Sequence, residues 1–261
     1  ISLGAGLLLH GEADAARLHI ETALELDPQY QNGDLLLVLS LVEQKDFDRA
    51  LASARELVAK TPDDVTAHNL VAWVQGQSGD KAAAKASYAA TLQRFPGDPG
   101  SSHSLARMAM EAGVDAAAKD YYEAVLQHHP DDLSTTLQLA LLEARGGNGP
   151  AAQARLEKAI EAHPQALQPR LLLARYRLSQ GEAEKVATVF TGLSDSQRED
   201  AAVLQLMAIA QLTQREHGDA LFTLEQLTNS NPGSADYHYL TAMAAAGTGD
   251  VEKTEAELRQ T

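Results

Sequence analysis

Proline recurs at Pro28, Pro62, Pro96, Pro130 and Pro164, each 34 residues after the last, and again two periods on at Pro232, with Arg198 in the empty slot between. A fixed period of this length constrains the fold before any residue is read for chemistry, because a short repeated unit buries its apolar face only against copies of itself. Other columns keep the same spacing. Glycine stands at Gly11, Gly79, Gly113, Gly147, Gly181 and Gly249, and Lys45 and Arg215 occupy the two remaining slots. One small-residue column reads Gly4, Ala72, Ala106, Ala140, Ala174, Ala208 and Ala242, with Val38 the exception; a second reads Ala16, Ala50, Ala84, Ala118, Ala152, Val186, Ala220 and Thr254.

Within a period the apolar residues follow helical spacing. Leu137, Leu139, Ala140, Leu141 and Leu142 mark a first helix, and Ala152, Leu156, Ala159 and Ile160 a stripe on a second. The small columns are where two helix axes cross closely, and the glycine supplies the tight turn between them. Each unit therefore reads as helix, Gly turn, helix, Pro turn. No segment of alternating β-branched residues competes, so the expected fold is all-α with essentially no strand.

The charges fit this frame. Aspartates stand where first helices begin, at Asp63 and Asp64, Asp98, and Asp131 and Asp132, while Lys60, Arg94, His128, His129 and His163 stand where second helices end. Both placements complement the helix dipole. Pro99 and Pro150 fall in first turns, where a missing N–H costs nothing.

A helix-turn-helix unit of this period and these columns resembles the tetratricopeptide repeat (TPR) family, over the whole chain. The resemblance implies an α-α superhelix of antiparallel helix pairs, a single solenoid over 1–261. It has complete repeats from Gln31, Val65, Pro99, Leu133, Leu167 and Ala201, flanked by partial repeats over 1–30 and 235–261. Leu3, Gly4 and Gly11 fit the first partial unit in register, so the opening is expected to be repeat core and not a targeting segment, and the chain a cut from a longer array. The stretch from Ala154 to Lys185, with the DYYEAVLQHHPDDLSTTLQLALLEARGGN preceding it, is similar to the bacterial TPR lipoproteins of the PEP-CTERM/exosortase system. That family accompanies exopolysaccharide production and protein sorting in Gram-negative bacteria. It implies a periplasmic or outer-membrane-associated protein held to the membrane through a lipid anchor outside these residues.

In TPR proteins the first helices line a concave surface that receives partners. The resemblance places Asn69, Trp73, His103, Arg107, Leu137, Leu141, Leu171, Arg175, Gln205, Ile209, Tyr239 and Met243 on that surface. Trp73, the only tryptophan, either anchors a partner or packs between repeats. Arg107 and Arg175 either receive carboxylates or pair with Glu111, Glu143 or other local acids. Chaperone-binding TPR proteins grip a C-terminal carboxylate with Lys, Arg and Asn in three consecutive repeats. Here those slots hold Asn69 but mostly Leu, Gln, His and Ser, which disfavours that activity.

Acidic residues outnumber basic ones 36 to 21, for a net charge of -15, which is the wrong sign for nucleic acid or for a basic contact with an anionic bilayer. With no cysteine there is no disulfide, thiolate zinc site or cysteine nucleophile. The apolar run Leu35 to Val42 is too short to span a membrane. His129 and His163 share one slot in adjacent units, where helices about 8–10 Å apart hold two ligands too far from one metal. Gly146, Gly147 and Gly149 lack the strand and lysine of a phosphate loop, and no nucleophile-base grouping is present, so no catalysis, cofactor or metal is expected. The function read from the repeats is a protein-interaction scaffold. Alternatives are a regulatory TPR segment of a larger enzyme such as a glycosyltransferase, or a cytoplasmic scaffold that self-associates. The segment from Gly192 to Asp200 lacks its proline, which predicts a shortened second helix, an altered stacking angle and a hinge.

Overall fold

The structure, a computed structural model, describes residues 6–7, 10–26 and 33–261; Leu3, Gly4, Pro28 and Gln31 lie outside them. Among the described residues the secondary structure is helical and free of strands. One compact unit runs to Thr135 and a second from Thr136 to Thr261.

The first unit holds α1 (Ala13–Leu26), α2 (Gly33–Glu43), α3 (Phe47–Lys60), α4 (Val65–Gln77), α5 (Lys81–Arg94), α6 (Pro99–Glu111) and α7 (Asp115–His128), and the division falls within α8 (Leu133–Arg145). First helices α4, α6 and α8 begin at the repeat starts read from the sequence. They run 13 residues, and second helices α3, α5 and α7 run 14. The aspartates set these starts. Asp64, Asp98 and Asp132 accept from the backbone N–H groups of Thr66, Ser101 and Thr135. Asp46 and Asp80 do the same for second helices α3 and α5. A lost cap of this kind costs about 1 kcal/mol. Across each pair, Lys60 reaches Asp34 at 2.9 Å and Arg94 reaches Asp63 at 2.6 Å.

Both small-residue columns are buried: Val38, Ala72 and Ala106 in first helices, and Ala50, Ala84 and Ala118 in second helices. Around them pack Leu41, Leu57, Leu70 and Val74, and further on Tyr88 with Leu105. Side chains of this size bring about 1.5–3 kcal/mol each when removed from water, and the alanines let the helices approach closely enough to bury them.

The second unit continues with α9 (Gly149–Ala162), α10 (Leu167–Ser179), a 3₁₀ turn (Ala183–Lys185), α11 (Val186–Val189), α12 (Asp195–Arg198), α13 (Ala201–Thr213), α14 (His217–Ser230), α15 (Ala235–Thr248) and α16 (Val251–Leu258). Of what the missing proline predicts, the shortened second helix is present. α11 is four residues long where α9 and α14 have 14. The displaced chain still contributes to the core, with Val186, Val189, Phe190 and Leu193 packed among Leu156, Leu171, Val203 and Leu206. Ser194 and Gln197 then close a capping box, and α13 starts at Ala201, one period after Leu167. Arg170 meets carbonyls before α10 and at the end of the short helix. Its side chain is buried and donates to the main-chain oxygens of Val189, Thr191 and Pro164.

The glycine slot keeps its backbone conformation even where glycine is absent. Gly79, Gly113, Gly147, Gly181 and Gly249 have positive φ, and so do Lys45 (60°) and Arg215 (63°). The turn geometry is therefore common to the pairs whatever residue fills it.

Candidate protein-interaction face

The fifth and ninth positions of each first helix supply the candidate residues, and the two units use them differently. In the first unit they are polar and partly consumed by the fold. Asn69 donates to Asp98 Oδ2 at 2.8 Å and accepts from Ser101 Oγ at 2.5 Å, so it ties α4 to the start of α6. Gly100 leaves room for this, since a Cβ there would stand 2.8 Å from Asn69 Nδ2. One repeat on, His103 Nε2 shares a 2.6 Å hydrogen bond with Thr135 Oγ1, and its ring meets Tyr122 edge-on at 5.3 Å. Burial lowers the His103 pKa, against the opposing charges of Asp132 and Asp98. Trp73 is half-buried against the core that contains Leu41 and Leu70. Arg107 is exposed and pairs with Glu111 at 3.2 Å. Lys81 holds the same carboxylate at 3.0 Å, and its hydrogen bond and charge keep the Glu111 pKa low.

In the second unit the same positions are mostly apolar. Leu137 is half-buried, Leu141 is 46% exposed, and Leu171 is buried in the core, which leaves it no surface for a partner. Gln205 and Ile209 are half-buried, while Tyr239 and Met243 are 54% and 46% exposed. Arg175 is exposed, and among the described residues it makes no hydrogen bond or ion pair. Glu143, its expected local partner, is instead taken by Arg155 in a two-pronged contact at 3.0 and 2.8 Å. Leu141 and Arg175 line one pocket of about 360 Å³ together with Leu172, Tyr176 and Ser179. Tyr176 and Ser179 were not singled out in the sequence. The signal was Gly149, because a Cβ there would overlap the Tyr176 hydroxyl.

His128, His129 and His163 stand at the ends of second helices. His128 lies over Gly97, and the backbone N–H groups of His129 and His163 donate to Val125 and Ala159. Among the described residues no group of three His, Asp or Glu side chains converges as a metal site, and no helix is long and apolar enough to cross a membrane.

The tetratricopeptide repeat family model matches residues 35–99, 137–191 and 206–260. The C-terminal part of a TPR repeat-containing protein from Cytophaga hutchinsonii superposes with a TM-score of 0.66 at 17% identity, over 84% of this chain and 91% of that one. A tetratricopeptide repeat protein from Parabacteroides merdae gives 0.55 at 17% identity, over 89% and 92%. YrrB, described as a TPR protein with an unusual peptide-binding site, gives 0.53 at 14% identity, over 66% and 89%. No curated protein matches.

Proposed function

Because the chain belongs to the tetratricopeptide repeat family, we propose that it is a protein-interaction scaffold whose first-helix face receives a peptide or partner helix. The observation that carries this is the exposure of Leu141 and Met243. They occupy the same position in two repeats of the second unit, and both stay nearly half open to solvent although their helices are otherwise packed. Apolar side chains left open at a repeated position are what a partner covers. The peptide-binding site named for YrrB supports the same use of the fold. Binding of this kind asks only for rigid helices, apolar contacts for affinity and a few polar groups for register.

A photo-crosslinking amino acid placed at Leu141 and Met243, with Phe222 on second helix α14 as the exposed control, tests the face in the native cell. Crosslinks to a discrete partner at the first two positions and not at the third are expected. Crosslinks only from Phe222 would place the interaction on the other face and overturn the reading.

The wording of Ala154 to Lys185 supports a finer assignment, to a bacterial envelope protein of exopolysaccharide assembly or exosortase-dependent sorting, located in the periplasm or at the outer membrane. Its test is cell fractionation of the full-length protein together with exopolysaccharide yield after deletion. Recovery in the cytoplasm with unchanged yield would reject it.

A further inference from the structure

The helix α10 is out of character with the rest of the molecule. In a chain of net charge -15 it carries Arg170, Arg175 and Arg177 and no acid. Two of these cations are committed. Arg170 is turned inward onto the carbonyls of the short-helix junction, and Arg177 holds Glu157 at 3.0 Å and Glu182 at 2.8 Å. Among the described residues Arg175 is left at the solvent without a partner, and the one acid of α8, Glu143, is already neutralised by Arg155.

Beside Arg175 is the pocket of about 360 Å³ between α8, α9 and α10, walled by Ala140, Leu141, Ala144, Leu156 and Leu172 and closed on one side by Tyr176. Its walls offer an apolar side chain the loss of water-exposed surface and offer a carboxylate nothing; its rim offers a carboxylate one unneutralised guanidinium. We infer that this pocket and Arg175 form a subsite for an internal acidic-apolar segment of a partner, in which a Leu-sized side chain fills the pocket and a neighbouring Asp or Glu side chain pairs with Arg175. The inference rests on the first-helix face being the binding face and adds the chemistry of what binds. A single cation matches a single carboxylate, and a chain of net charge -15 offers further acids on the partner no general attraction.

The test is selection of binders from a library of random 12-residue peptides, displayed internally in one arm and with free C-termini in another, on the folded protein. Internal binders are expected to pair Leu, Ile, Met or Phe with Asp or Glu. Arg175→Glu is expected to replace that acid by Lys or Arg, and Ala144→Leu, which plugs the pocket from an exposed position, to weaken the selected peptides about tenfold or more. Circular dichroism and denaturation check that both variants fold. Binders with no acidic preference and no response to Arg175→Glu, but weakened by Tyr239→Ala, would overturn the subsite and leave the face standing. Enrichment of the acid only at a free C-terminus would overturn the internal segment. No binders to a folded protein in either arm would overturn the subsite and the face together.

Discussion

The guanidinium of Arg170 donates to the main-chain oxygen of Thr191 at 3.0 Å, joining first helix α10 to the segment that follows the truncated helix α11. The same group serves the carbonyls of Val189 and Pro164. The buried cation thus gives a donor to Val189, the last carbonyl of the truncated helix, and to the turns on either side of α10.

Arg170→Met keeps the volume of the side chain and removes the donors. A buried acceptor left unsatisfied costs about 1–3 kcal/mol, and of the three only the Val189 carbonyl is on a buried residue while Thr191 and Pro164 are open to water, so a loss of about 1–3 kcal/mol is expected. Urea denaturation reads the loss. Hydrogen exchange should show residues 183–200 losing protection ahead of α13 to α16. An unchanged midpoint would mean that water serves these carbonyls equally well.

Lys45 and Arg215 hold positive φ with a side chain attached, a conformation that costs a non-glycine residue about 1–2 kcal/mol. Lys45→Gly and Arg215→Gly are expected to stabilise the protein by about 0.5–1 kcal/mol each, after allowance for the greater freedom of glycine in the unfolded chain. Thermal denaturation of the single variants checks this, and a fall in Tm for both would contradict it.

Two histidines are set to respond to pH in opposite directions. His238 places Nδ1 at 2.6 Å from Glu257 and Nε2 at 3.0 Å from the Pro232 carbonyl; since neither partner can donate, both ring nitrogens must, which is the charged form. Its pKa is raised accordingly, by the Glu257 hydrogen bond first. Its contribution is complete below the ordinary value of 6.5 and is lost as pH rises through the raised one. His103 is lowered by burial, so its contribution is present above 6.5 and is lost as pH falls below it. Titration followed by NMR should place the two on either side of 6.5. Hydrogen exchange, corrected for intrinsic rate, should show α16 opening more readily at about pH 8 than at about pH 6.

Asn69 is expected to matter more to folding than to binding. Asn69→Ala leaves the buried Ser101 hydroxyl without its acceptor, at a cost of about 1–2 kcal/mol. Denaturation should report this, while crosslinking from Leu141 and Met243 should be unaffected. Loss of crosslinking in a variant that remains folded would return Asn69 to the partner-binding set.

The repeat, the helix pairs and their starts were legible because each rests on a local cause. A proline cannot continue a helix, a glycine turns it, and an aspartate caps the next, as at Asp64, Asp98 and Asp132. Even the shortened helix before Arg198 followed from one missing proline. What could not be read was the fate of long polar side chains. Arg170, Arg175 and Arg177 stand within eight residues of one another in one helix, yet one is buried, one is free and one is paired. Those outcomes depend on elements distant in sequence, such as the carbonyls around Val189 and the acids of α9. Leu171 illustrates the same dependence, since its slot is open in one repeat and closed in another by the local packing of α10 against Val186 and Phe190.

The start of α13 at Ala201, one period after Leu167, means that the array keeps phase across a repeat whose second helix stops at Val189. The missing turns are replaced by an equal contour of chain. Phase at this joint is thus carried by residue number and by one arginine, and not by a continuous helical ladder. Between Val189 and Ala201 the chain is held at separate points, by Phe190 and Leu193 in the core, by the Ser194–Gln197 capping box and by the Asp200 cap of α13, so exposed positions between them such as Thr191 and Glu199 are free to drift where these are not.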